Sequence, residues 1–129
     1  MRHILRRDKN HCEIVRELEQ RGVCVLDLAA SGSGVTDLAT YYRGSTVFIE
    51  IKFGAAAELK KTQIKFLSSW RGWCGIARDI NEACGLAMRP GVCCLTPRQK
   101  DRLAAFYVQM PGSKAHLATV LKLIDAAGG

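Results

Sequence analysis

At 129 residues, 48% hydrophobic and 24% charged, the chain fits one domain that buries an adequate core without staples. Nineteen Lys and Arg against twelve Asp and Glu give a net charge of +7, which favours a phosphate-rich partner. No run of about 18 apolar residues exists, which excludes a transmembrane helix, and residues 1–8 carry no apolar h-region, which excludes a secretion signal; the expected setting is the cytoplasm of a bacterial or phage-infected cell.

Asn10 followed by Glu13 is a capping-box signature, and Ile14, Val15 and Leu18 form an apolar stripe, so a helix is predicted over 11–21, ended by Gly22. The stretch 23–28 reads as a strand, followed by a Ser31-Gly32-Ser33-Gly34 loop. That loop lacks the Gly-Lys-Ser/Thr ending of a P-loop and leads into another strand.

The next segment is the most informative. Asp37 precedes an apolar stretch, Gly44-Ser45 make a turn, and Glu50-Ile51-Lys52 close the returning stretch. A two-residue II′ turn at Gly44-Ser45 predicts a β-hairpin in which Arg43 faces Thr46 and Asp37 faces Lys52. Side chains alternate along a strand, so Asp37, Glu50 and Lys52 share a face while Val47, Ile49 and Ile51 point the other way. Either Tyr41 or Tyr42 falls on the Asp37 face. Two carboxylates this close repel unless a divalent cation neutralises them, and hard oxygen ligands suit Mg²⁺ or Mn²⁺. A lysine beside such a metal orients or deprotonates a water, and the set is equipment for hydrolysing phosphodiesters.

After the hairpin a helix is predicted over 60–71, with Lys60, Lys61, Gln63 and Lys65 early in it and Ile64, Phe66, Leu67 and Trp70 for packing. Residues 74–78 give another strand, and Asp79 with Glu82 opens a short helix. Thr96-Pro97 with Gln99 is a clear helix start, with Leu103, Ala104, Phe106, Tyr107 and Met110 as its apolar face. Ser113 is the expected cap of a last helix bearing Leu117, Val120, Leu121 and Ile124. These two helices must bury their apolar faces on their own subunit or on a partner.

Six cysteines, Cys12, Cys24, Cys74, Cys84, Cys93 and Cys94, are expected to stay reduced. None forms a C-x-x-C pair, and the adjacent Cys93-Cys94 suit one tetrahedral zinc poorly. Cys24 and Cys74 read as small core residues of strands. His3, His11 and His116 make no ligand pattern.

Gly34-Val35-Thr36-Asp37-Leu38, then Val47-Phe48-Ile49-Glu50-Ile51-Lys52, then Gln63, together resemble the PD-(D/E)XK nuclease superfamily, and are most similar to its small viral-type replication-repair (VRR-NUC) group. The resemblance covers about residues 10–84, and Thr36 stands where the family usually has proline. It implies an α/β fold: a restriction-endonuclease-like core with a central mixed β-sheet flanked by helices, the two C-terminal helices (about 85–129) lying outside the match. It further implies a Mg²⁺- or Mn²⁺-dependent endonuclease acting on DNA, including branched or Holliday-junction DNA, and working as a homodimer. Asp37 and Glu50 would hold the metal, with Glu13 and the Ile51 carbonyl as further ligands. Lys52 would serve the water, Gln63 would contact water or phosphate, and Lys60, Lys61, Lys65 and Arg71 would contact flanking phosphates. Two other readings stand beside this one: a catalytically silent nucleic-acid-binding or inhibitory protein on the same fold, and a small sequence-specific restriction enzyme.

Overall fold

A computed structural model describes residues 10–31 and 34–128; the start of the chain, His3 and Gly32-Ser33 of the loop lie outside the described residues. The elements run α1 (His11–Gln20), β1 (Cys24–Asp27), β2 (Leu38–Tyr42), β3 (Ser45–Ile51), β4 (Glu58–Lys60), α2 (Lys61–Ser69), β5 (Trp73–Ala77), α3 (Ile80–Met88), α4 (Pro90–Cys93), α5 (Pro97–Gln109), β6 (Lys114–His116) and α6 (Leu117–Ala127). The main sheet has the order β1-β2-β3-β5. Its first three strands are antiparallel, and β5 lies parallel to β3 after the crossover through α2. This is the mixed sheet that a hairpin followed by a helical crossover demands. Among the described residues no helix is long and apolar enough to cross a membrane.

The alternation along β3 divides the core. Val47, Ile49 and Ile51 are fully buried with Leu38, Ile14 and Leu18 on the face covered by α1 and α3. Phe48 belongs to the opposite face, where Leu59, Ile64 and Leu67 meet Leu103, Val120 and Ile124 of α5 and α6. Each large aliphatic side chain buried this way contributes about 1.5–3 kcal/mol. The C-terminal helices therefore bury their apolar faces on their own chain. The capping box at Thr96 forms as its sequence predicts: Gln99 N donates to Thr96 Oγ1 at 3.2 Å and Thr96 N to Gln99 Oε1 at 2.9 Å.

Four expectations are corrected. The hairpin turn is Arg43-Gly44, both with positive φ (48° and 88°), so it is of the I′ kind and pairs Tyr42 with Ser45 and Leu38 with Ile49. Continued one step, that register sets Asp37 opposite Glu50 and not opposite Lys52. The slip is of two residues, so every side chain keeps its face. Second, Asn10 makes no side-chain cap of α1; its Nδ2 donates to Arg78 O at 2.9 Å instead, tying α1 to the end of β5. Third, Ser113 does not cap the last helix. Its carbonyl accepts from Lys61 N at 2.7 Å, and β6 intervenes, pairing antiparallel with β4. Fourth, Cys24 is exposed, because β1 is the edge strand, whereas Cys74 is buried.

Candidate active site

Asp37, Glu50 and Lys52 meet at one end of the sheet, on its α2 side. Asp37 sits one residue before β2, where its carbonyl accepts from Leu28 N at 2.7 Å and its Oδ2 accepts from Ile51 N at 2.9 Å. One carboxylate thus pins the two strands together through the main chain of the residue between Glu50 and Lys52. Ile51 contributes only backbone here, since its side chain is buried on the opposite face. The hydroxyl of Thr36, in the place of the expected proline, donates to Leu38 O at 3.0 Å and is satisfied within the loop.

Glu50 is the centre of the arrangement. Its residue is 1% exposed, yet it carries a carboxylate. Gln63 Nε2 donates to its Oε2 at 3.0 Å, and Lys52 Nζ, 13% exposed, lies 3.4 Å from the same oxygen. The other oxygen, Oε1, is buried with no hydrogen-bond partner. Burial, and then the neighbouring Asp37 charge, push the Glu50 carboxyl well above the usual range, against the opposing pull of Lys52. An acid in this position is expensive to keep unless something positive faces it.

Gln63 is held from both ends. Its Oε1 accepts from Lys60 N at 2.8 Å; a backbone N–H can only donate, so the amide nitrogen must face Glu50. It therefore orients the carboxylate while bordering the cleft beside it.

Beside this cluster lies a cleft of about 100 Å³ bordered by Leu28, Ser31, Gly34, Asp37, Lys60 and Gln63, roomy enough for several waters. It runs into a second hollow of about 300 Å³ along α2, reaching Lys65 and Ser69. Gly34, Val35 and Thr62 border both. Gly34 has φ +82°, and a Cβ there would come 3.1 Å from Thr62 Cβ. Gly34→Ala should therefore push the 28–35 loop off α2 and narrow the cleft. We expect about 1 kcal/mol or more of lost stability from the strained φ alone, together with a fall in any activity of the cleft. Thermal melts and turnover measured on one preparation check this, and unchanged values for both would refute it.

The remaining predicted residues disperse. Lys60 borders the cleft and Lys65 the hollow. Lys61 turns away: its Nζ lies 5.1 Å from the Tyr107 ring centre and 3.4 Å from Met110 O, where it anchors α5. Arg71 is exposed beyond the end of α2. Glu13 is exposed on α1, which packs on the other face of the sheet, and no group of three or more His, Cys, Asp or Glu that could hold a metal occurs among the described residues. Asp37 and Glu50 thus stand together, and Glu13 is not beside them.

His11, 2% exposed, places Nε2 3.0 Å from Asp27 Oδ2, while Asp27 Oδ1 accepts from Ala29 N at 3.0 Å. Asp27 pairs with Leu38 in the sheet, so this pair braces the strand next to Asp37. Sixteen residues separate the two in the chain, and no local pattern announces the contact. No protein-family model, curated protein or solved structure matches the chain.

Proposed function

We propose that this chain is a divalent-metal-dependent endonuclease of the PD-(D/E)XK type, acting on DNA. The observation that carries the proposal is the buried Glu50 carboxylate, with Oε1 unpartnered and Asp37 beside it. Support also comes from the order α1, β1, β2, β3, α2, β5, interrupted only by the short β4 before α2, and from the position of Gln63 at the start of α2, in line with the motif resemblance.

The residues fit a hard cation. Asp37 and Glu50 offer oxygen donors only, and Mg²⁺ is commonly held by one or two carboxylates with waters and substrate phosphate completing its shell. When bound, such an ion supplies Lewis-acid stabilisation of phosphate charge and acidifies a bound water. The chain's own residues do the rest. Gln63 and Lys52 fix the Glu50 carboxylate in one orientation, and the Ile51 N–H fixes that of Asp37. Lys52 donates from Nζ to the attacking water and offsets the negative charge that builds on the phosphate. Lys60 and Lys65 hold flanking phosphates along α2, which positions the strand without reading its sequence. The water gives up a proton to solvent as its oxygen bonds to phosphorus, the bond to the leaving oxygen breaks, and that oxygen takes a proton from solvent.

The test is incubation of the purified chain with linear, nicked and four-way-junction DNA in Mg²⁺, Mn²⁺ or EDTA. Cleavage in either metal and none in EDTA is expected. The preferred substrate reports whether branched DNA is favoured, and light scattering of the same sample reports whether the protein works as a homodimer. Binding without cleavage under every metal condition would instead identify a silent nucleic-acid-binding protein.

A further inference from the structure

A second basic concavity lies away from the acid cluster. It is a hollow of about 550 Å³ bordered by Arg21, Tyr42, Arg43, Asn81, Cys84 and Arg89. These residues come from the end of α1, the tip of the β2–β3 hairpin and α3 with the residue that follows it. The hairpin tip and Glu50 are separated by the length of β3, about 17 Å at roughly 3.3 Å per residue. Since α1 and α3 cover the opposite face of the sheet from α2, a strand seated along α2 does not fill this hollow.

Its charge is unbalanced. Three guanidinium groups border it, and the one carboxylate joined to them is Glu17, 2.8 Å from Arg21 Nε. Arg43 and Arg89 have no carboxylate partner among the described residues. Arg43 also stands at φ +48°, in a turn position where Asn or Gly is much easier to accommodate, and its guanidinium lies 5.2 Å from the centre of the Tyr42 ring. The hairpin thus keeps a cation at a site where a neutral residue would make a better turn. Arginine forks match phosphate oxygens in pairs, and the volume is that of a small-ligand pocket.

We infer that this hollow is a second phosphate-ester site, in which Arg43 and Arg89 bind the phosphate of a nucleotide unit, with Arg21 and the Tyr42 side chain at its wall. The same chemistry is offered by a free nucleotide and by the backbone of a second nucleic-acid arm. The inference stands whether or not the cleft beside Glu50 cleaves DNA, and its test is made in EDTA, where cleavage plays no part.

The full chain is titrated by calorimetry with inorganic phosphate, a nucleoside monophosphate and a short single-stranded oligonucleotide. The variants are Arg43→Asn with Arg89→Gln, and separately a charge-matched control, Arg98→Gln with Lys122→Gln, two exposed cations of α5 and α6. Asn suits a positive φ, so the first variant should melt at the wild-type temperature or above, which separates lost binding from lost folding. We expect the Arg43→Asn, Arg89→Gln variant to bind the phosphate ester at least tenfold more weakly, and the control to bind it as the wild type does. Monophosphate binding lost in the first variant identifies a free-nucleotide site; loss confined to the oligonucleotide identifies a nucleic-acid arm. The inference is overturned if the wild type binds none of the three, if the Arg43→Asn, Arg89→Gln variant binds them unchanged, or if the charge-matched control loses as much.

Discussion

Glu50→Gln should abolish metal-dependent cleavage, by about a thousandfold or more, and at the same time raise the melting temperature of the metal-free protein. The two effects have one cause. Glu50 is 1% exposed with Oε1 unpartnered, and its carboxyl is pushed up by burial and by Asp37. Whether it keeps its proton or its charge, that displacement is free energy lost on folding. Glutamine has the same shape, still accepts from Gln63 Nε2, and removes the repulsion with Asp37. Relieving the unpartnered Oε1 and its repulsion with Asp37 is worth about 1–3 kcal/mol, or very roughly 3–15 °C in a domain of this size. Mg²⁺ or Mn²⁺ should reverse the ranking: a ligand at ten times its Kd adds about 1.4 kcal/mol to the state that binds it. The wild-type melt should therefore climb with metal, and the Glu50→Gln melt should stay still. A variant that melts lower than wild type without metal, or that shifts equally with it, would remove Glu50 from the metal site.

The acid cluster was legible in the sequence because a strand repeats every two residues. Val47, Ile49 and Ile51 against Phe48 and Glu50 leave no other assignment of faces, and an error of two in register changes partners without changing faces. The turn departs from the expected type for a physical reason. Glycine-first II′ turns are the easier inference from Arg43-Gly44-Ser45, since arginine rarely accepts a positive φ, yet the chain places Arg43 there. What failed elsewhere was long-range or too short to have a period. The three-residue strands Glu58–Lys60 and Lys114–His116 carry no alternation worth reading, and their pairing displaced the expected cap at Ser113. Lys61 looked like a phosphate contact because helix spacing says nothing of Tyr107, which arrives from a helix 46 residues on in the numbering. Asn10 and Glu13 satisfy a capping pattern, but the tertiary bond from Asn10 to Arg78 O took the side chain away.

Removing the C-terminal helices should destroy the fold of the α2 side, and the candidate site with it. Leu103 and Val120 are fully buried and Leu117 and Ile124 nearly so, in one cluster with Leu59, Ile64 and Leu67. At about 1.5–3 kcal/mol for each large side chain returned to water, exposing Leu59, Ile64 and Leu67 alone costs about 4.5–9 kcal/mol, comparable with the 5–15 kcal/mol by which a typical domain is stable. The connection to the site is direct. The segment leading into α2 is held by the β4–β6 pairing, by Lys61 N on Ser113 O at 2.7 Å and by Leu117 N on Ala57 O at 2.9 Å. Gln63, which orients Glu50, is the third residue of the helix so anchored. A chain ending at Pro90 should show no cooperative melt, bind an apolar dye and cleave nothing. Leu103→Ala is the milder form of the same test: a loss of about 2–5 kcal/mol, with activity reduced in step with the folded fraction. A truncated chain that stayed monodisperse and melted at the full-length temperature would mean that the sheet and α2 hold together without α5 and α6, contrary to the shared core.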